Sequence, residues 1–253
     1  IYNTKNIYDE LDNNSICIAA HPFTKVPILE RIFLKRGKWE KEDIINEKLI
    51  GMQVLNGSID QAYNDGVNKW IELLLKGYRK YIFAGNDAHG NFNIYRQIKI
   101  PMIRLQEKKE QLFGRFRTGV FTNKKKCVNS IINGLRNGHS FITNGPYINF
   151  QCIIDGEKKI MGSQIFCNNA LLEVNIISSK EFGLINRLII YKGVIGNVEE
   201  NVFRKFSDIG TLVFNTNINI HVEKSSYFRC KVSIKNDDEE IFAITNPIWL
   251  LSN

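Results

Sequence analysis

Short apolar runs alternate with longer helical patterns through the first 143 or so residues of the chain. The runs SICIAA (15–20) and KYIFAGNDAHG (80–90) each predict a buried strand, the second entering a polar loop, and KLIGMQVLNGS (48–58) contains a third strand. GVNKWIELLLKGY (66–78) has apolar residues at helical spacing and predicts a helix that ends near Gly77. A strand, a crossover helix and a parallel strand are the expected topology of such a series, so this part of the chain predicts an α/β fold.

The pattern changes after the turn Asn144-Gly145-Pro146, because the remaining sequence is strand-like and has little helical character. Several stretches alternate apolar with polar residues, as in ALLEVNIIS, NRLIIYKG, TLVFNTNINI, YFRCKVSI and IFAITNPIWL. Turn residues such as Asp155-Gly156 separate them. Five or more such strands predict an antiparallel β-sandwich of about 100 residues. The sequence therefore predicts two domains, at residues 1–144 and 145–253.

The chain has 253 residues and a net charge of +8, from 34 Lys and Arg against 26 Asp and Glu. These positive residues are scattered, and the tight runs, such as Lys124-Lys125-Lys126, are not interleaved with aromatic side chains as in single-strand binders. Solvated faces explain the charge, and we expect no nucleic-acid partner.

No segment approaches the ~20 consecutive apolar residues that cross a bilayer, so we expect no membrane segment. No signal-peptide pattern occurs at Ile1, and a soluble, cytoplasmic protein is slightly favoured. The five cysteines are far apart and form no CxxC motif, which argues against a disulfide framework and against a structural zinc site.

The strongest local cluster of reactive side chains is Gly85-Asn86-Asp87-Ala88-His89-Gly90, at the end of a predicted strand. In extended backbone residues two apart point the same way, so Asp87 and His89 can converge on one ion. A carboxylate and an imidazole suit Zn, Mn or Fe. The alternative is a loop aspartate that accepts backbone N–H bonds beside a half-buried histidine.

His21 lies at the corresponding end of the strand SICIAA, and Asn56 ends the strand between the two. The carboxyl ends of parallel strands meet at one edge of a sheet, where ligands bind in such folds. His21 is therefore a candidate metal ligand, although a lone histidine before proline is more often a hydrogen-bonded loop residue. Asn56 either donates to substrate, orients a metal ligand or is a turn residue of the sequence Asn-Gly.

Arg115 and Arg117 of GRFRTG carry forked donors that bind anionic groups, and are either substrate-binding residues or a clamp between the two domains. His139 follows a predicted helix whose C-terminus favours a cationic imidazole, which indicates a structural role.

The motifs AAHPF, VLNG and AGNDAHG, in that order and spacing, resemble the later motifs of the PHP (polymerase and histidinol phosphatase) superfamily. Further along, GRFRTGV, INGLRNGHSFITNGPYINF, IDGEKKIMGS, YFRCKV and AITNPIWL resemble the CehA/McbA branch of PHP metallohydrolases. This resemblance covers nearly the whole chain.

The resemblance implies a distorted (β/α)7 barrel followed by a C-terminal β-sandwich. It implies that His21, Asp87 and His89 are ligands of divalent metal ions, and that Asp87 and His89 also take part in catalysis. The implied activity is hydrolysis of small-molecule phosphoesters or related ester or carbamate bonds by metal-activated water.

The family begins its site with an HxH motif, an acidic residue paired with histidine and a bridging glutamate, and none of these precedes His21. We therefore expect the C-terminal part of a PHP barrel followed by the sandwich. An open sheet edge predicts self-association, or association with the missing upstream segment. The alternative function is a non-catalytic binding or structural module on a degenerate PHP scaffold.

Overall fold

The computed structural model describes residues 4–12, 15–25, 39–88, 113–122, 127–236 and 239–252. The chain divides into two compact units, one of Ile1–Trp70 with Ile82–Arg117 and one of Ile71–Tyr81 with Thr118–Asn253. The helices of the described residues are α1 (Thr4–Glu10), α2 (Lys41–Ile45), α3 (Gln61–Leu75) and α4 (Val128–Arg136). None of these helices is long and apolar enough to span a membrane.

Fifteen strands lie in the described ranges. They are β1 (Cys17–Ala19), β2 (Leu49–Asn56), β3 (Tyr81–Gly85), β4 (Arg117–Val120), β5 (Ser140–Thr143), β6 (Tyr147–Ile154), β7 (Glu157–Ile160), β8 (Gln164–Phe166), β9 (Asn169–Ile177), β10 (Ile185–Val194), β11 (Asn201–Phe206), β12 (Val213–His221), β13 (Ser226–Ile234), β14 (Phe242–Thr245) and β15 (Ile248–Leu251).

The first unit is built on a three-stranded sheet of order β1-β2-β3. β1 runs parallel to β2, with Ile18 opposite Gly51. Leu49, Met52 and Leu55 of the central strand are fully buried, as the apolar run in the sequence predicts. Since β2 lies between β1 and β3, the loops that follow the two outer strands flank the end of the central one.

The second unit consists of two sheets with one shared core. A four-stranded antiparallel sheet has the order β12-β9-β6-β7, and an eight-stranded sheet contains the path β11-β10-β13-β14-β5-β4. Phe150 and Leu172 of the smaller sheet share a hydrophobic cluster with Ile190 and Val232 of the larger one, and all four are fully buried. The larger sheet also includes a parallel pair, because β15 lies parallel to β8.

The predicted fold class is wrong. Strands make up 45% of the structure and helices 16%, so the protein is a β-rich fold with several sheets and not an α/β (β/α)7 barrel. A (β/α) barrel places a helix after each strand. In the described residues from 113 onward, α4 is the single helix among twelve strands. The strand–helix–strand pattern around β2, α3 and β3 is real, but it is a local feature of the fold.

A candidate site at the ends of β1 and β3

The structure brings His21 and Asp87 together, each two residues beyond the end of its strand. Nε2 of His21 lies 3.9 Å from Oδ1 of Asp87, and the two side chains are 18% and 32% exposed. This separation is too long for a hydrogen bond. The two atoms face each other across the end of β2 at a distance that one small ion can bridge.

Both residues have left-handed backbone, with φ of 30° for His21 and 51° for Asp87. Few residues other than glycine adopt such angles, which cost about 1–3 kcal/mol and cluster at functional sites. The amide of Thr24 donates to the carbonyl oxygen of His21 at 3.1 Å, so the chain turns sharply after β1. These left-handed residues lie just beyond β1 and β3, at the place where the side chains of His21 and Asp87 approach each other.

Asn56, the last residue of β2, lies in a short network between these loops. Nε2 of Gln53 donates to Oδ1 of Asn56 at 2.8 Å. This bond fixes the Asn56 amide so that its Nδ2 group is available as a donor. A Cβ at Gly85 would lie 2.9 Å from Nε2 of Gln53, so the glycine leaves room for the network. The amide of Gly57 also donates to the carbonyl oxygen of Gly85 at 3.0 Å, joining the two strand ends.

A small pocket opens beside this network. Its volume is about 10 Å³, which is the space of roughly one water molecule. Its walls include His21, Phe23, Gln53, Asn56 and Asp60. Both carboxylate oxygens of Asp60 accept hydrogen bonds, from the Ser58 hydroxyl at 2.9 Å and from the Tyr63 amide at 3.0 Å, so Asp60 caps α3.

Asn86 precedes Asp87 and has a structural role that the sequence did not reveal. Its side chain is 8% exposed and bonds the backbone of Phe116 twice. Nδ2 donates to the Phe116 carbonyl at 3.1 Å, and the Phe116 amide donates to Oδ1 at 2.9 Å. These bonds hold the segment containing Arg115 and Arg117 beside the residue next to Asp87.

The two predicted arginines are not walls of the small pocket. Arg115 is half-buried, with its guanidinium 5.4 Å from the Phe116 ring centre, and Arg117 is exposed at the start of β4. His89, the third predicted metal ligand and second predicted catalytic residue, lies outside the described residues.

The donor chemistry of His21 and Asp87 fits a divalent metal ion. Bonds from zinc to imidazole nitrogen and carboxylate oxygen are about 2.0–2.2 Å, so two ligand atoms of one ion lie about 3.4 Å apart in a tetrahedral site and at most about 4.3 Å apart. The observed 3.9 Å falls below that limit. Within the described ranges no three His, Cys, Asp or Glu side chains form a ligand group, so these two would supply only part of a coordination sphere.

Sequence reasoning missed Gln53 and Asn86 as members of the site. Gln53 carries a detectable signal, because it is a polar residue inside the otherwise apolar strand LIGMQVLN. Asn86 carries none, because its partner Phe116 is thirty residues away in the chain.

A scan against known protein families finds no match to this chain, and a search of curated proteins also finds none. The resemblance to PHP metallohydrolases therefore stays a prediction that rests on the short motifs themselves.

Proposed function

We propose that the protein is a metal-dependent hydrolase of phosphoester or related ester bonds, with His21 and Asp87 as ligands of a divalent ion. The observation that carries the proposal is the 3.9 Å separation of the imidazole Nε2 and the carboxylate Oδ1. The two residues follow the ends of separate strands. Each has a left-handed backbone conformation, which costs conformational free energy. Mixed nitrogen and oxygen donors suit Zn, Mn or Fe. When bound, such an ion lowers the pKa of water toward 7 and neutralises charge on the attacked group.

The residues around this pair have separate tasks in the proposed reaction. Asp87 would help to hold the ion, and its carboxylate would act as the general base that accepts a proton from the attacking water. The Nδ2 group of Asn56, oriented by Gln53, donates to an oxygen of the substrate. His89 completes the proposed ligand set as the motif resemblance implies.

Arg115 and Arg117 fit this scheme as binding groups for the anionic part of a substrate. Their segment is bonded through Phe116 to Asn86, the direct neighbour of Asp87. Guanidinium groups form paired hydrogen bonds with phosphate or carboxylate oxygens, which favours a phosphoester substrate.

Metal content and hydrolysis, measured on the same samples, test the proposal. We expect the desalted protein to retain Zn, Mn or Fe by mass spectrometry, and to hydrolyse p-nitrophenyl phosphate or p-nitrophenyl acetate. The double variant His21→Asn/Asp87→Asn should lose the metal, and its activity should fall more than about tenfold. Asp208→Asn is the matched control, because Asp208 also has a left-handed φ, of 54°, and is exposed in the second unit.

The outcomes separate the enzyme from the alternative function. Metal that the double variant loses, with no hydrolysis of either ester by the wild-type protein, would support a non-catalytic metal-binding module. Equal metal content in wild type and double variant would overturn the assignment of both ligands.

A further inference from the structure

The outward face of the four-stranded sheet in the second unit is rich in amide side chains. Along β6, β9 and β12 the residues that alternate with the buried core residues point away from the core. Six of these outward residues are asparagines, which we call the amide face: Asn149, Asn169, Asn175, Asn215, Asn217 and Asn219.

The strand register aligns these amides in rows across the sheet. Asn149 lies opposite Asn175, and Asn175 lies opposite Asn215, so one row contains three asparagines side by side. Directly opposed side chains in antiparallel strands have Cβ atoms about 5 Å apart. The next row places Asn217 opposite Glu173, which in turn lies opposite Gln151.

The single carboxylate among these rows is already neutralised. Glu173 accepts hydrogen bonds from Nε2 of Gln151 on β6 and from Nζ of Lys158 on β7. Among the described residues, Oδ1 of Asn149 is shielded from water and has no hydrogen-bond partner. An unpaired buried amide oxygen is unfavourable. Because this one is shielded, the amide groups that an outside ligand can reach are those of the exposed asparagines, such as Asn215 and Asn217.

A depression of about 430 Å³ lies at one end of the amide face. This volume is within the usual range of small-molecule pockets. Its walls combine apolar with polar side chains, among them Ile153, Leu171, Ile220, Asn169, Asn219 and Asp155.

The other end of the face presents an aromatic ring. Tyr147 is 40% exposed there, and its ring is held by Phe121 and Phe141, with ring centres 5.9 and 5.7 Å away. From end to end β9 is about 27 Å long, which is enough for an extended ligand.

We propose that the amide face binds a neutral glycan, an uncharged chain of linked sugar rings. Each amide offers two donors and an acceptor, which complement hydroxyl groups that both donate and accept. An exposed tyrosine ring provides an apolar surface for the C–H face of a sugar. Nucleic acid fits this face less well, because its phosphates require concentrated Lys or Arg, and the amide rows carry no unpaired charge.

The test is binding to a glycan microarray that carries neutral and sulfated oligosaccharides, followed by calorimetric titration with the best neutral oligosaccharide. We expect the wild-type protein to bind neutral glycans. The double variant Asn175→Ala/Asn215→Ala should bind more than about tenfold more weakly, since it removes most of the central row. Asn201→Ala is the matched control, because Asn201 is an exposed strand asparagine on β11, in the other sheet, and its change should leave the affinity unaltered.

Thermal unfolding of each variant shows whether the sheet is intact. Should the double variant fail to fold, the single variant Asn219→Ala at the depression replaces it, with the same expected loss. The proposal is overturned if no neutral glycan binds, if a folded variant binds as tightly as wild type, or if only sulfated glycans bind and high salt abolishes that binding.

Discussion

Arg229 and Glu200 form a buried, two-pronged ion pair in the second unit. Nε of Arg229 donates to Oε2 of Glu200 at 2.9 Å, and Nη2 donates to Oε1. The two side chains are only 4% and 8% exposed. The Tyr227 hydroxyl also donates to Oε2 of Glu200 at 2.9 Å, and the Arg229 guanidinium lies 4.2 Å from the Tyr191 ring centre. Every charged group in this network therefore has a partner.

Removing one member of this pair should destabilise the second unit strongly. We expect Glu200→Ala to lower the free energy of unfolding by about 3–5 kcal/mol, because Arg229 would remain charged and buried without its partner. Urea unfolding measures the change. The matched control is Glu240→Ala, which breaks the more exposed Lys231–Glu240 pair and should cost about 1 kcal/mol or less. Equal costs for the two variants would contradict this account.

Gly138 occupies a position that only glycine tolerates. Its φ is +65°, and a Cβ there would lie 2.2 Å from Cε1 of Tyr81. We expect Gly138→Ala to lower the free energy of unfolding by about 2–4 kcal/mol, combining backbone strain with a steric clash. Gly156→Ala measures the backbone strain alone, because Gly156 has a φ of +80° but no atom within 4 Å of the added Cβ. The free energy of unfolding of that variant should fall by about 1 kcal/mol. A comparable decrease for both variants would argue against a steric clash with Tyr81.

His139 should make stability depend on pH in a window that opens as the pH falls through about 6.5. Burial lowers the pKa of His139 below its usual value of 6.5, so the neutral imidazole is favoured in the folded state. The unfolded chain takes up a proton as pH falls through about 6.5 while the folded chain resists, so the free energy of unfolding should decrease there. His139→Gln should flatten this part of the curve, as measured by urea unfolding at a series of pH values.

The carboxylates with lowered pKa do not interfere in that window. The pKa values of Glu157 and Glu173 lie below their usual 4.5, because Lys159 bonds the first and Gln151 the second. An unchanged slope across the same pH window in His139→Gln would show that His139 is not its source.

Asn86 should be necessary for the order of the segment at Phe116. We expect Asn86→Ala to lower the free energy of unfolding by about 2–3 kcal/mol, because it leaves a buried amide and a buried carbonyl of Phe116 unpaired. Hydrogen exchange at the Phe116 amide should accelerate by a larger factor than at Met52 in β2. Asn64→Ala, an exposed change on α3, should be neutral or slightly stabilising, since alanine favours helix. Slow exchange at the Phe116 amide in Asn86→Ala would show that the Asn86 side chain does not order this segment.

The local signals in the sequence anticipate several elements well. Apolar spacing predicts α3, although the helix begins earlier, at Gln61, because Asp60 caps it. The alternation in ALLEVNIIS predicts the strand β9, whose inner residues Leu172 and Val174 are fully buried. These features depend on the repeat of a strand or a helix within one segment, which the chain displays directly.

The predicted barrel failed for a related reason. A strand–helix–strand pattern specifies only three elements. The prediction of a whole barrel came from the resemblance of short motifs, and the β-rich structure contradicts it. The sequence also did not reveal that burial of the His139 ring lowers its pKa, an effect opposite to that of the helix C-terminus. Burial depends on what packs against the ring, and the sequence around residue 139 does not contain that information.

By itself, the sequence determined which segments form strands and α3, which faces are apolar, and that candidate ligands follow the ends of β1 and β3. Only the tertiary structure decided that His21 meets Asp87, that Arg229 meets Glu200, and that Asn149, Asn175 and Asn215 share one row. The physical reason is that hydrophobic periodicity fixes which side of a strand is buried but not which strand becomes its neighbour. Packing of the whole core selects which strands become neighbours. Each of these contacts joins residues from different elements, so it depends on that selection.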